Sequence, residues 1–265
     1  MLRLLKQLFG FFCLLATVFA CSGKPTQPST MPMATPAKDL LNRALQAHGY
    51  AGADKLAYRF TFRGVDYSFN RDLERSLYTR TTYVESDTIL DVLTNGRLVR
   101  FTNGVPVSLP DTMAAKYGRS VNSVIYFASL PDKLTDAAVN LSLDGNATIK
   151  GKEYQLLRIH FDEENGGDDH DDNFLYWIND STDRVDYLAY DYRVDGGGVR
   201  FRSAYNPRVI DGVLFSDYVN YKAPMGTPLN DLPQLYERGE LKELSRIELE
   251  EVAVVEEVWQ ASPPK

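Results

Sequence analysis

The sequence predicts a mainly β (α+β) protein. The expected fold is a single curved antiparallel sheet of about eleven strands, a half-barrel, with an N-terminal helix and a central helix covering its concave face. Three observations predict it. Short runs rich in β-branched and aromatic residues recur between turn signals over most of the chain. Two Asn-Gly dipeptides, Asn95-Gly96 and Asn103-Gly104, sit eight residues apart and mark tight hairpins. Several strands are apolar on both faces, so both faces must be covered. So much β structure exceeds a sandwich of ordinary size and suits a sheet that curls around helices or a cavity.

Residues 1–20 read as a signal peptide. Arg3 and Lys6 give a positive start, and residues 8–20 (LFGFFCLLATVFA) form an uncharged apolar run too short to span a bilayer comfortably. The run ends in VFAC. A small residue before a cysteine resembles the lipobox of bacterial lipoproteins, although Phe19 is bulkier than that pattern usually has. The resemblance implies cleavage before Cys21 and acylation of that cysteine; the alternative is an ordinary signal peptide cut after Ala20. Cys13 leaves with the signal, so Cys21 would be the lone thiol of an exported chain, and lipidation accounts for it.

The remaining 245 of 265 residues suffice for one large β domain. The net charge is −7, and loss of Arg3 and Lys6 takes it to about −9. Such a field argues against nucleic acid and against anionic lipid surfaces as charge-driven partners. A lipid would have to be held in an apolar cavity. Residues 21–36 are proline-rich and polar, a tether with a reach of about 45 Å from an anchor.

The folded domain is expected over 37–258, with a disordered tail at 259–265. A helix over 37–48 is predicted by the spacing of Leu40, Leu41, Ala44 and Leu45, with Gly49 as its stop and His48 as a cation on its dipole. Strands are expected at 56–63, 65–69 and 75–83, then three more in 87–109 joined by the Asn-Gly turns. Residues 111–130 return to helical spacing, and Gly118 and Ser120 are candidate points of division. The second half predicts strands at 153–161, 173–180, 184–194, 199–206, 212–222 and 243–255. Alternation assigns Phe174, Tyr176 and Ile178 to one face, Leu175 and Trp177 to the other. It separates Val185, Tyr187 and Ala189 from Leu188, Tyr190 and Tyr192 in the same way. Sixteen tyrosines suit a cavity wall, since a ring packs while its hydroxyl reaches water or a ligand, or they are simply half-buried sheet residues.

This order of elements resembles the half-barrel of the bacterial lipoprotein carriers LolA and LolB, in which a helix precedes an incomplete barrel closed over an apolar cavity. Four words also resemble an uncharacterised family of bacterial lipoproteins, a domain of unknown function. They are SVNSVIYFASLP (120–131), GGDDHDDNFLYWIN (166–179), DYLAYDYRVDGGGVRFRSAYNPR (186–208) and DYVNYK (217–222). The resemblance implies no activity and no catalytic residue.

The acidic word offers a candidate divalent-metal site, for calcium or zinc. Asp169, His170 and Asp172 are the candidate ligands, with His160, Asp195 and Asn206 as possible additions. The spacing departs from an EF-hand and from a helical zinc motif, and a solvated hairpin loop is the alternative reading. Tyr176, Tyr190, Tyr192, Arg200 and Arg202 are the candidate ligand-binding residues. Arg200 and Arg202 share a strand face, and either receive a carboxylate or phosphate head group or pair with Asp186 and Asp217 across the sheet. No Gly-x-Ser-x-Gly elbow or phosphate loop is present, and there are three histidines.

The expectation is therefore a monomeric lipoprotein anchored in the outer membrane and facing the periplasm. It would carry or sequester a hydrophobic or amphipathic ligand, a lipid or a lipoprotein, without chemistry. The alternatives are a metal-dependent hydrolase centred on the acidic loop and a non-catalytic envelope scaffold.

Overall fold

The computed structural model describes residues 35–52, 56–71, 76–136, 138–161, 172–193 and 196–255. It opens with helix α1 (Pro36–Ala47), where the Thr35 hydroxyl caps the Lys38 amide and Leu40, Leu41 and Ala44 turn inward. The end of α1 docks on a hairpin turn at Asp211-Gly212. Gly49 has φ +80°, and a Cβ there would stand 1.9 Å from the Gly212 carbonyl oxygen. A side chain at 49 would push the two elements apart.

Six strands follow as an antiparallel meander: β1 (Leu56–Phe62), β2 (Val65–Arg71), β3 (Ser76–Val84), β4 (Asp87–Thr94), β5 (Arg97–Thr102) and β6 (Val105–Val107). Both Asn-Gly pairs take positive φ, 49° and 76° in the first turn, 51° and 78° in the second. That is the backbone a two-residue hairpin turn requires. Helix α2 (Asp111–Ala128) then crosses the inner face of this meander. It is one continuous helix. Gly118 does not divide it but faces Leu93 and Leu98, where a Cβ would stand 3.4 Å from the nearest leucine carbon.

The second half supplies β7 (Val139–Ile149), β8 (Lys152–Phe161), β9 (Asn173–Asn179), β10 (Val185–Tyr192), β11 (Gly198–Ile210) and β12 (Val213–Ala223). Helix α3 (Leu232–Glu237), β13 (Lys242–Ile247) and β14 (Glu250–Val254) complete it. The described residues form two open seven-stranded antiparallel sheets, not one sheet of about eleven strands. Sheet 1 runs β14-β1-β2-β3-β4-β5-β6 and sheet 2 runs β13-β12-β11-β10-β9-β8-β7.

Two features account for the difference. Strand β7 is an edge strand whose Asn140, Ser142, Asp144 and Asn146 are weak β formers, so pairing to β8 rather than propensity holds it. The run expected as one strand over 243–255 breaks at residues 248–249 and serves both sheets. A buried clasp marks the break: Asp217 accepts from the Leu249 amide (2.9 Å), Arg208 (3.0 Å) and Asn206 (2.7 Å), while Arg208 also donates to the Leu249 carbonyl.

The central strands of sheet 2 are buried on both sides, as their doubly apolar pattern requires. Phe174, Tyr176 and Ile178 join the core between the sheets, with α1, α2 and the inner face of sheet 1. Leu175 and Trp177 join a second core under the segment that contains Leu229, Leu232 and Leu241. One face assignment changes. Val185 packs in the inter-sheet core with Leu188 and Tyr190, because pairing with β9 shifts register between Val185 and Tyr187 and the strand turns over there.

Candidate functional site

The two arginines and three tyrosines singled out above lie on one face of sheet 2, the face that meets α2. In register, Leu188 of β10 stands between Tyr176 of β9 and Arg202 of β11, and Tyr190 stands opposite Arg200. Arg202 is 9% exposed. Its Nη2 donates to the Tyr190 hydroxyl at 2.8 Å, and its guanidinium carbon sits 4.8 Å from the Phe127 ring centre and 5.1 Å from that of Tyr190. Arg200, two residues toward the hairpin, repeats the arrangement nearer solvent. It donates to the Tyr192 hydroxyl and lies 5.1 Å from that ring. Gly198 makes this possible, since a Cβ there would meet Arg200 Nη1 at 2.6 Å and the Tyr192 ring at 3.0 Å.

Arg202 is not paired across the sheet. Asp217 is taken by Arg208, Asn206 and the Leu249 amide; Asp186 accepts from Tyr154 (3.0 Å) and Asn179 (3.0 Å). Among the described residues no carboxylate forms an ion pair with Arg202, and its Nε is buried without a partner. Directly opposite in register is Asn220, whose Oδ1 is likewise buried and unpartnered while its Nδ2 donates to Ser245. Burial pushes Tyr218 up to about 12, with Arg202 pulling the other way, and burial holds Tyr176 well above the usual tyrosine range. Among the described residues the positive charge is therefore uncompensated. Two cation–π contacts return about 1–2 kcal/mol each at best, against a desolvation cost of several kcal/mol for a buried ion.

An aromatic surface surrounds the charge. Phe174 stacks on Tyr190 with centroids 5.6 Å apart and meets Phe161 edge-on at 5.5 Å. From α2, Tyr126 contacts both phenylalanines and shares a 2.9 Å hydroxyl contact with Tyr176; Phe127 contacts Phe62 of β1. Tyr126, Phe127, Phe161 and Tyr190 are only partly buried. Sequence reasoning missed Tyr126, Phe127, Tyr218 and Asn220. The first two lie in the word SVNSVIYFASLP, and the last two lie in the word DYVNYK.

The acidic loop contributes less to this picture. Cys21, Asp169, His170 and Asp195 lie outside the described residues. Asp172 is buried just before β9, His160 is exposed on β8, and Asn206 is engaged by Asp217. Among the described residues no group of three or more metal-ligating side chains gathers. His48 is not a cation on the helix dipole. It is buried, its Nε2 accepts from the Val185 amide at 3.1 Å, and burial lowers it to about 4. A polar hollow of about 170 Å³ on the outer face of sheet 1 is lined by Arg59, Thr61, Asp66, Ser68, Thr79 and Glu251, among others.

A model of a family of unknown function, DUF6503, matches residues 11–249. No curated protein matches the chain in sequence. Among solved structures, a LolA superfamily protein from Nitrosomonas europaea superposes with a TM-score of 0.50 at 15% identity, over 85% of this chain and 96% of that one. A DUF1329 family protein from Desulfovibrio piger follows at 0.42 and 11% identity, over 84% and 95%. The first likeness shows a LolA-like fold.

Proposed function

The chain belongs to the DUF6503 family, and we propose that it is a lipid-anchored cell-envelope lipoprotein that holds a hydrophobic or amphipathic ligand between its two sheets. Its work is carriage or sequestration, not chemistry. The observation that carries this reading is the half-buried aromatic surface where the end of α2 meets sheet 2. Tyr126, Phe161, Phe174 and Tyr190 form one contact network, Phe127 joins it through the Arg202 guanidinium, and all but Phe174 are only partly buried. A contiguous apolar patch with polar groups converging on it is the usual form of a ligand site. The LolA-like fold supports the same reading. The VFAC word supports an acyl anchor at Cys21, and the acidic balance sets nucleic acid aside as a partner.

Native mass spectrometry of the protein taken from the envelope fraction tests the proposal. It should carry a co-purifying amphiphile, and an apolar fluorescent dye should bind and be displaced by it. Phe161→Ser should weaken dye binding about tenfold, a loss in keeping with one ring removed from the aromatic surface. A protein that carries no amphiphile and takes up no dye overturns the reading. Radiolabelled palmitate should mark the wild type and not Cys21→Ser.

A further inference from the structure

We infer that the ligand is an amphiphile with an anionic head, a carboxylate or a phosphate, and that Arg202 receives that head on the inner face of sheet 2. This rests on the ligand-binding reading above and names the class of ligand. A guanidinium can give five hydrogen bonds in a planar fork suited to paired oxygens. Arg202 uses Nη2 on Tyr190, while its Nε is buried and unsatisfied. Buried polar groups in folded proteins are nearly always paired, so an orphaned donor on a full positive charge marks a place that something else completes.

Three further features favour an anion as that partner. The two described acids expected to pair with Arg202 are held elsewhere, Asp217 by Arg208 and Asp186 by Tyr154. Asn220 faces it in register with a free amide oxygen. A turn of that amide, with Ser245 then donating to Oδ1, would point an NH₂ group at the same spot. Arg200, held by Tyr192 toward solvent, places a second cation two residues away on the same face. The group now stacked on Arg202 is Phe127, so a head group binds by displacing that ring, and the ligand's chain takes the place of the ring beside Phe62.

Calorimetry on the full chain carrying Cys21→Ser, which needs no detergent, tests this with three probes. They are dodecyl phosphate, dodecyldimethylphosphine oxide as a neutral head on the same tail, and inorganic phosphate. The protein should bind dodecyl phosphate about tenfold or more tightly than the neutral compound, the effect of one charge-assisted hydrogen-bonded contact. Arg202→Met should erase the preference, and Arg202→Lys should keep part of it. Equal affinities for the two amphiphiles, or a preference that survives Arg202→Met, overturns the anionic-head assignment and leaves the ligand-binding reading standing. Binding of neither amphiphile overturns both. Inorganic phosphate binding as tightly as dodecyl phosphate overturns the amphiphile and makes the ligand a free anion. A melting temperature for Arg202→Met no lower than that of the parent confirms that a change in binding is local.

Discussion

Both sheets place arginines on their inner faces beneath aromatic side chains of α2, and they treat them differently. In sheet 1, Arg80 and Arg100 converge on Asp91, which is 1% exposed. Arg80 donates to it through Nε at 3.1 Å and Arg100 through Nε at 2.7 Å, while Tyr117 lies 3.9 Å above the Arg100 guanidinium. In sheet 2, Arg202 has the covering ring, Phe127, but no carboxylate among the described residues. The difference teaches what each cluster is for. A buried arginine with its acid holds a helix to a sheet; a buried arginine without one is an incomplete site.

The largest expected effect breaks the paired cluster. Asp91→Ala leaves two guanidiniums facing each other under α2 and should cost about 3 kcal/mol. Urea denaturation should show a lower midpoint at an unchanged slope. If stability is unaltered, the cluster does not hold α2.

The second contrast is in pH. His48, which contacts β10, falls to about 4, and Asp132, paired with Arg71 of β2, rises to about 6 because burial outweighs the arginine. The signs oppose. Between pH 6.5 and 4 the unfolded state binds the histidine's proton more readily, so the His48 contribution is full above 6.5 and is lost as pH falls. Between about 6 and 3.8 the folded state binds the Asp132 proton more readily, so that group adds stability as pH falls. In the wild type the two largely cancel. Asp132→Asn should expose the histidine alone, with stability dropping about 2–3 kcal/mol from pH 6.5 to 4. A profile parallel to the wild type would contradict the assignment.

A smaller effect tests the contact between α2 and sheet 2. Tyr126→Phe strands the fully buried Tyr176 hydroxyl and should cost about 1 kcal/mol, whereas Tyr176→Phe leaves the Tyr126 hydroxyl nearer solvent and should cost less. Equal costs in chemical denaturation would mean that the two hydroxyls are equally wet.

The smallest effect is the sharpest. Arg202→Met should leave stability unchanged or raise it slightly, since it replaces an unpaired buried ion with an apolar side chain of similar length. A loss comparable to that of Asp91→Ala would make the two clusters the same kind of object and remove the contrast.

Much of this was legible before the structure. Asn95-Gly96 and Asn103-Gly104 specify their own turns because positive φ is a local property. The two-sided apolar pattern of 173–179 announced a sheet covered twice. Alternation, which is local too, put Tyr190 with Tyr192 and Arg200 with Arg202 on one face of their strands, and register between strands brought these and Tyr176 to one face of the sheet. Strand β7 was not legible, since its polar residues carry little propensity and its partner supplies the order. The role of His48 was hidden because a histidine one residue past a helix reads as a capping cation until the fold brings the Val185 amide to it.

The sequence by itself determined most of the strands, the tight turns and, within a regular strand, which side chains share a face, because these depend on neighbours two to four positions away. Only the tertiary structure decided that there are two sheets, since the clasp of Asp217 and Arg208 on Leu249 joins residues far apart in the chain. It alone also decided which arginines meet an acid. Asp91 and Asp217 are spent on Arg80, Arg100 and Arg208, and pairing of that kind is settled by which strands lie side by side.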